Sequence, residues 1–131
     1  MSRENVEVFK RVVAAFNRRD LGAFLELMDA DVEAVPLLGD VEGDYRGHAG
    51  MRRWSENLHD VFPDFVAEVV EVRDLGEVSL ATLRYRAHVA ESDTPVEAPL
   101  WMVARWRRGK CVQWGAFATE AEALKAAGLR E

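Results

Sequence analysis

The chain has 131 residues, 49% hydrophobic content and four prolines, which suits one compact domain with a substantial core and requires no second domain. Its net charge is −6 with acidic and basic residues interleaved, so no cationic surface for nucleic acid or an anionic membrane is expected. The single Cys111 excludes an internal disulfide, the N-terminal segment is charged, and no run approaches the roughly 20 apolar residues of a membrane span, so we expect a cytoplasmic protein.

The first third of the chain predicts two helices followed by a short strand. Apolar residues recur every three or four positions across residues 3 to 18, which indicates an amphipathic helix. Asp20 is the predicted N-cap of a second helix. A short strand is expected around Val32 to Val35, ended by Pro36 and followed by a polar loop from Gly39 to Asp44.

The stretch from Tyr45 to Trp54 packs a short strand, a glycine turn and a helix start into ten residues. Tyr45 is placed on the strand, and the segment from Gly47 to Gly50 opens a third helix. Pro63 stops that helix, because the residue before a proline is disfavoured in the helical conformation.

The second half of the chain is rich in β-forming residues. Short connections between the runs predict an antiparallel sheet. Thr119 and Glu122 form a predicted capping box for a last helix that ends at Gly128. The predicted strands are Phe65 to Leu75, Val78 to Ala90, Val96 to Arg107, and Cys111 to Ala118.

Two motifs carry a resemblance to a known family. Tyr45-Arg46-Gly47-His48-Ala49-Gly50-Met51-Arg52-Arg53-Trp54, read with Phe16-Asn17-Arg18-Arg19-Asp20-Leu21, resembles the SnoaL-like branch of the nuclear transport factor 2-like superfamily. The resemblance implies an α+β fold: a cone-shaped, cystatin-like roll whose curved antiparallel sheet is wrapped by three helices of the N-terminal half, plus a short C-terminal helix. It implies one SnoaL-like domain over residues 1–131 with one pocket.

The catalytic groups of the related ketosteroid isomerases do not match this sequence. Those enzymes use a Tyr on the first helix and a protonated Asp on a late strand as an oxyanion hole, with a second Asp as proton shuttle. The matching positions hold Val12, Trp101 and either Ala34 or Val35. We therefore reject steroid isomerase activity by that mechanism.

Related polyketide cyclases and epoxide hydrolases share the fold and also differ from this chain. They usually carry an Asp just after the Trp of the last strand, where this chain has Gly115 and Ala116 behind Trp114. The Arg and Asp pair of the hydrolases is matched by Arg84 and Arg86, so the carboxylate is missing.

The remaining candidates for catalysis are Tyr45, His48 and Glu97. Tyr45 would be a hydrogen-bond donor, or simply a packed aromatic ring. His48 would be a general base, or an imidazole bonded to local backbone. Glu97 shares the alternate positions of Trp101 and would be a partly desolvated base if that face lines the pocket, or a solvated edge carboxylate if it does not.

Three other polar residues have weaker claims. His59 is interpreted as a surface residue near a helix end, and the alternation of Arg84 and His88 is typical of a solvated strand face. No His and Cys spacing indicates a metal, and no glycine-rich phosphate loop indicates a nucleotide, so we expect neither metal nor cofactor.

Two function hypotheses follow. One is an isomerase or cyclase that binds a small hydrophobic molecule and moves protons by general acid and base catalysis. The alternative is a noncatalytic ligand-binding or dimeric scaffold protein in which the cone is kept and the chemistry is lost; a cavity closed by Trp101 would favour the scaffold. The predicted pocket lining is Phe16, Met28, Tyr45, Trp54, Leu58, Trp101 and Phe117.

Neither set of alternate positions in the run from Leu100 to Trp106 is polar, so both faces of the sheet must be covered. If Trp106 and Trp114 share the outer face, they form an aromatic patch that predicts a homodimer through the sheet, as the resemblance also implies. The alternative is that the C-terminal helix covers this face within one chain.

Overall fold

A computed structural model describes residues 2–35 and 45–128, in which the chain forms four helices and six strands in the predicted order. The predictions for Pro36 and for the loop from Gly39 to Asp44 lie outside these residues. The elements are α1 Ser2–Asn17, α2 Leu21–Glu26, β1 Met28–Val35, β2 Tyr45–Arg46, α3 Gly47–Val61, β3 Val66–Asp74, β4 Val78–His88, β5 Pro95–Arg107, β6 Lys110–Phe117 and α4 Glu120–Ala126.

The helix ends follow the capping residues that the sequence offers. The Asp20 carboxylate accepts a hydrogen bond from the Ala23 backbone N–H at 3.1 Å, which confirms it as the N-cap of α2. The Thr119 hydroxyl accepts one from the Glu122 backbone N–H at 3.2 Å at the start of α4. These bonds satisfy donors that have no partner inside the helix.

The sheet has the strand order β2-β1-β6-β5-β4-β3. Strands β3 to β6 form the predicted antiparallel meander, but β1 pairs with β6 in parallel, with Met28 opposite Cys111 and Ala34 opposite Trp114. The antiparallel prediction covers the strands from Phe65 onward and is confirmed there; the parallel pair of β1 and β6 was not predicted. No turn joins β1 to β6, so the local turn signals used for the prediction carry no information about their direction.

Trp106 and Trp114 lie on the inner face of the sheet, so the prediction that they form an outer aromatic patch is wrong. Both are buried in the main core, where the Trp114 ring lies 5.3 Å from the Phe9 ring and Trp106 Nε1 donates to Ser79 Oγ at 2.9 Å. In the run from Leu100 to Val103 both alternate positions are apolar, so the pattern separates two faces without showing which one meets the helices.

The C-terminal helix α4 covers part of the outer face, as the alternative interpretation expected. Its Ala123 and Ala127 pack against Val78, Leu80 and Val103 in a second, smaller core cluster. The aromatic patch that motivated a dimer is therefore absent from the outer face of the described residues.

Candidate functional site

Tyr45 is fixed at the inner face of β2 by the motif that follows it. Its side chain is buried, and its hydroxyl oxygen accepts a hydrogen bond from Asn57 Nδ2 at 2.7 Å. The Arg53 guanidinium lies 5.3 Å from the centre of its ring, within reach of a cation–π contact. Gly50 packs directly beneath, because a Cβ atom at this position would lie 2.6 Å from the Tyr45 carbonyl carbon.

Tyr45 and Trp114 flank Ala34 on neighbouring strands. Ala34 is the Cα partner of Tyr45 on one side and of Trp114 on the other. The two large residues are thus separated by two strand spacings, about 10 Å, with only a methyl side chain between them. We call these three residues the Ala34 slot. Ala34 is also one of the two residues, with Val35, that the resemblance matches to the proton-shuttling Asp of the related isomerases.

Two side chains of the slot carry hydrogen-bond donors. Trp114 Nε1 is buried and has no hydrogen-bond partner among the described residues. The Tyr45 oxygen already accepts from Asn57, so its own proton is free to donate. Buried donors are almost always satisfied, and an unsatisfied one therefore calls for an explanation.

Aromatic rings form the surroundings of the slot. Trp54 stacks on Phe24 with ring centres 6.2 Å apart, and Phe24 meets Trp114 edge-on at 6.4 Å. Further along the sheet, on β4, Tyr85 lies 5.1 Å from Phe65 and is only partly buried. Among the described residues the buried polar side chains are serines, so this interior contains no buried carboxylate.

The structure separates the three residues predicted for catalysis. His48 is exposed, and its Nε2 donates to the Met28 carbonyl at 3.0 Å, which is the backbone role given as the alternative. Glu97 does share a face with Trp101, but this is the outer face; its carboxylate is exposed and lies 4.0 Å from Arg84 Nε. Glu97 therefore does not point into the core beside Tyr45, contrary to the inward orientation considered for it.

Five of the seven predicted lining residues belong to the main core, and two do not. Phe16, Met28, Tyr45 and Trp54 are buried there, and Leu58 packs against them. Trp101 and Phe117 pack instead against α4 on the outer face, so the prediction that they line the interior is wrong. Trp101 therefore does not fill the cone, so a cavity closed by Trp101 no longer supports the scaffold hypothesis.

His59 lies between helices rather than on the surface. Its ring stacks on Phe16 at 4.9 Å, its Nδ1 lies 3.4 Å from Ser55 Oγ, and its Nε2 is buried without a partner among the described residues. Burial and then the nearby Arg19 lower the pKa of His59 from 6.5 to about 4. A cavity of about 80 Å³ adjoins the ring. The interpretation as a solvent-facing residue is wrong; the packing of α1 and α2 against α3 decides its orientation.

His88 is held by Asp64 at the exposed edge of the outer face. The Asp64 carboxylate lies 2.7 Å from both the His88 backbone N and its Nδ1. Hydrogen bonds from the His88 side chain and backbone lower the pKa of Asp64. The prediction of a solvated face is confirmed by the exposure of Arg84 and His88.

Cys111 is unsuited to nucleophilic chemistry. Burial raises the pKa of its thiol to about 12, so the reactive thiolate is not formed at neutral pH. Within residues 2–35 and 45–128, no group of three or more His, Cys, Asp and Glu side chains is arranged to hold a metal ion. No helix in this part of the chain is long and apolar enough to cross a membrane.

The strand order, the wrapped helices and the aromatic interior define the cone-shaped α+β roll of nuclear transport factor 2-like and cystatin-fold proteins. Residues 9–114 match the SnoaL-like domain family. The chain belongs to this family. No curated protein matches it significantly.

Solved structures with the same fold share little sequence with the chain. An NTF2-like protein of unknown function from Burkholderia pseudomallei is 19% identical, with a TM-score of 0.80 over 93% of this chain and 95% of that one. A SnoaL-like polyketide cyclase from Jannaschia is 17% identical, with a TM-score of 0.78 over 96% and 92% of the two chains. TerC, co-crystallised with polyporic acid, is 19% identical, with a TM-score of 0.79 over 95% and 98%. At these identities the likeness concerns the fold.

Proposed function

We propose that this SnoaL-like protein binds a small hydrophobic metabolite in its cone and recognises a carbonyl group on it through the Ala34 slot. The observation that carries the proposal is the buried Trp114 Nε1, which has no partner among the described residues; Trp114 and Tyr45 lie on either side of Ala34 in the sheet. The indole N–H of Trp114 and the hydroxyl of Tyr45 are both donors, and donors on either side of one small side chain suit an acceptor such as a carbonyl oxygen. The ring walls suit an apolar, planar body.

Binding without proton transfer fits the interior better than acid and base catalysis does. The described core has no buried carboxylate, and both His48 and Glu97 are exposed. Tyr45 can donate a hydrogen bond, but no second group in the described core is placed as its base. The catalytic alternative, an isomerase or cyclase, keeps support from the family and from the similarity to the Jannaschia cyclase and to TerC.

The test compares two ligands that differ only in their acceptors, 1,4-naphthoquinone and naphthalene. Wild-type protein is expected to bind the quinone more tightly, as followed by quenching of tryptophan fluorescence. Trp114→Phe removes one donor and is expected to weaken quinone binding about three- to tenfold, with naphthalene binding nearly unchanged. Tyr45→Phe is expected to act in the same way.

Trp106 supplies the matched control. Its Nε1 is bonded to Ser79 Oγ, so Trp106→Phe is expected to cost about 1 to 3 kcal/mol in stability and to leave ligand selectivity unchanged. Trp114→Phe breaks no hydrogen bond within the described part of the protein and should cost less for that reason. Equal loss of quinone selectivity in both variants would contradict the proposal.

We also propose a homodimer through the outer sheet face. Trp101 and Phe117 stay partly exposed beside α4, and Val66 is exposed further along this face. Val66 is exposed in the single chain, so Val66→Glu adds a charge without burying it there and is expected to shift a dimer toward monomer in sedimentation analysis. A wild-type protein that sediments as a monomer would contradict this part of the proposal.

A further inference from the structure

We propose a second ligand site, separate from the cone, which binds the phosphate group of a small organic phosphate. A groove of about 730 Å³ lies where the start of α1, the turn before β4 and the hairpin between β5 and β6 meet. This volume is in the usual range for small-molecule sites. The groove is lined by Glu4, Asn5, Val8, Glu77, Arg105, Trp106, Arg107, Arg108, Gly109 and Val112.

Arginines dominate the hairpin side of the groove. Arg107 and Arg108 are exposed neighbours, and neither side chain forms an ion pair with another described residue. Arg105 also lines the groove, but its guanidinium is engaged toward α4, because its Nε donates to Gln113 Oε1 at 2.8 Å and its Nη2 to the Ala126 carbonyl at 2.9 Å. In a chain with net charge −6, the adjacent Arg107 and Arg108 are a local concentration of positive charge.

A phosphate fits this arrangement better than a carboxylate does. Each guanidinium presents a planar fork of N–H donors that binds two oxygens at once. A carboxylate has two oxygens and satisfies one fork. A phosphate monoester has three terminal oxygens and a charge near −2, so it can engage Arg107 and Arg108 together.

The other lining residues restrict the rest of the ligand. Val8 and Val112 supply apolar surface, which suits an organic body rather than a free ion. Glu4 and Glu77 also line the groove and repel additional negative charge. The ligand should therefore carry its charge at one end, and a polyphosphate or nucleic acid should bind less well than a single phosphate ester.

The left-handed backbone of Arg108 indicates that an arginine is kept at this position for function rather than for the stability of the turn. Arg108 and Gly109 have φ values of 54° and 79°, so both central residues of the hairpin turn are left-handed. Such turns favour Asn-Gly or Asp-Gly, because other side chains are strained there. A long cationic side chain at this position gives up turn stability that asparagine would supply.

Because asparagine is favoured at this turn position, a variant with asparagine in place of Arg108 should lose the guanidinium without losing stability, and this separates binding from folding. Phenyl phosphate, inorganic phosphate and benzoate are titrated into full-length protein and followed by amide chemical shifts in NMR. We expect phenyl phosphate to bind most tightly and to shift the amides of Arg107 to Val112. Arg108→Asn is expected to weaken phenyl phosphate binding about tenfold or more while the melting temperature stays equal or rises.

Arg52→Gln is the charge-matched control, because Arg52 is an exposed arginine on α3 that does not line the groove. It should bind phenyl phosphate like the wild type. Absence of phenyl phosphate binding to wild-type protein, binding unchanged in Arg108→Asn, or an equal loss in both variants would each overturn the proposal. The variants and probes differ from those for the cone, so either proposal can fail alone.

Discussion

His59 makes the stability of the protein depend on pH in a defined window. In the folded state the pKa of this imidazole is lowered from 6.5 to about 4, first by burial and then by Arg19, while Ser55 and Asp60 oppose the shift. Between these two values the unfolded chain binds a proton that the folded chain does not. The contribution of His59 to the free energy of unfolding is therefore fully present above pH 6.5 and is lost as the pH drops toward 4.

The size of the loss follows from the shift. A lowering of the pKa from 6.5 to about 4 would correspond to about 3 kcal/mol, because each pH unit corresponds to about 1.4 kcal/mol. The ring is only partly buried, and water screens its interactions with Arg19 and Asp60. We therefore expect about half of this value, roughly 1 to 2 kcal/mol.

The assay compares wild type with His59→Phe, which keeps the stacking on Phe16 and removes the titrating group. Urea unfolding is followed at several pH values between about 4 and 7. Carboxylates such as Asp64 titrate in both proteins, so the difference between the two curves isolates His59. The variant should be as stable as the wild type or more so at neutral pH, because the buried and unpartnered Nε2 disappears.

The expected result is a difference in unfolding free energy that grows in favour of the variant as the pH falls below 6.5 and levels off near 4. Parallel curves over this range would refute the reasoning, because they would mean that His59 titrates equally in the folded and unfolded states. A difference that grows as the pH rises would mean that folding raises the pKa of His59, opposite to the expected direction.

Three further substitutions test the packing around the site. Gly50→Ala should cost about 2 to 4 kcal/mol in urea unfolding, because its Cβ would lie 2.6 Å from the Tyr45 carbonyl carbon and the backbone would have to move. Asn17→Ala should cost about 1 to 3 kcal/mol and promote association at high concentration in light scattering, because Asn17 bonds both the N–H and the C=O of Ala67 on edge strand β3. Asp20→Ala should lower stability by about 1 kcal/mol through loss of the α2 cap; an unchanged unfolding midpoint would contradict this role.

The sequence predicted the elements well because their signals are local. The order of helices and strands, the cap at Asp20 and the helix that starts at Gly47 all depend on residues close together in the chain. Of the predicted lining residues, Phe16, Met28, Tyr45, Trp54 and Leu58 lie in or against one core cluster, whereas Trp101 and Phe117 do not.

The errors in the site come from one inversion. Alternation correctly grouped Glu97 with Trp101 and separated both from Trp106, but it placed Trp101 in the interior and left an inward Glu97 as one of two alternatives. Leu100 and Trp101 are both apolar, so the face that meets the helices is decided by tertiary packing. The orientation of His59 and the Ala34 slot likewise depend on distant elements.

The parallel pairing of β1 with β6 has a consequence for how the protein is made. β1 emerges early from the ribosome, yet its partner in the sheet, Lys110–Phe117, is among the last segments to be synthesised. Such long-range closure is slow, because the entropy of the intervening chain must be lost before the contacts form. Until then Val32 and its neighbours have no strand on that side, so we expect the nascent chain to need protection of this segment until synthesis is complete.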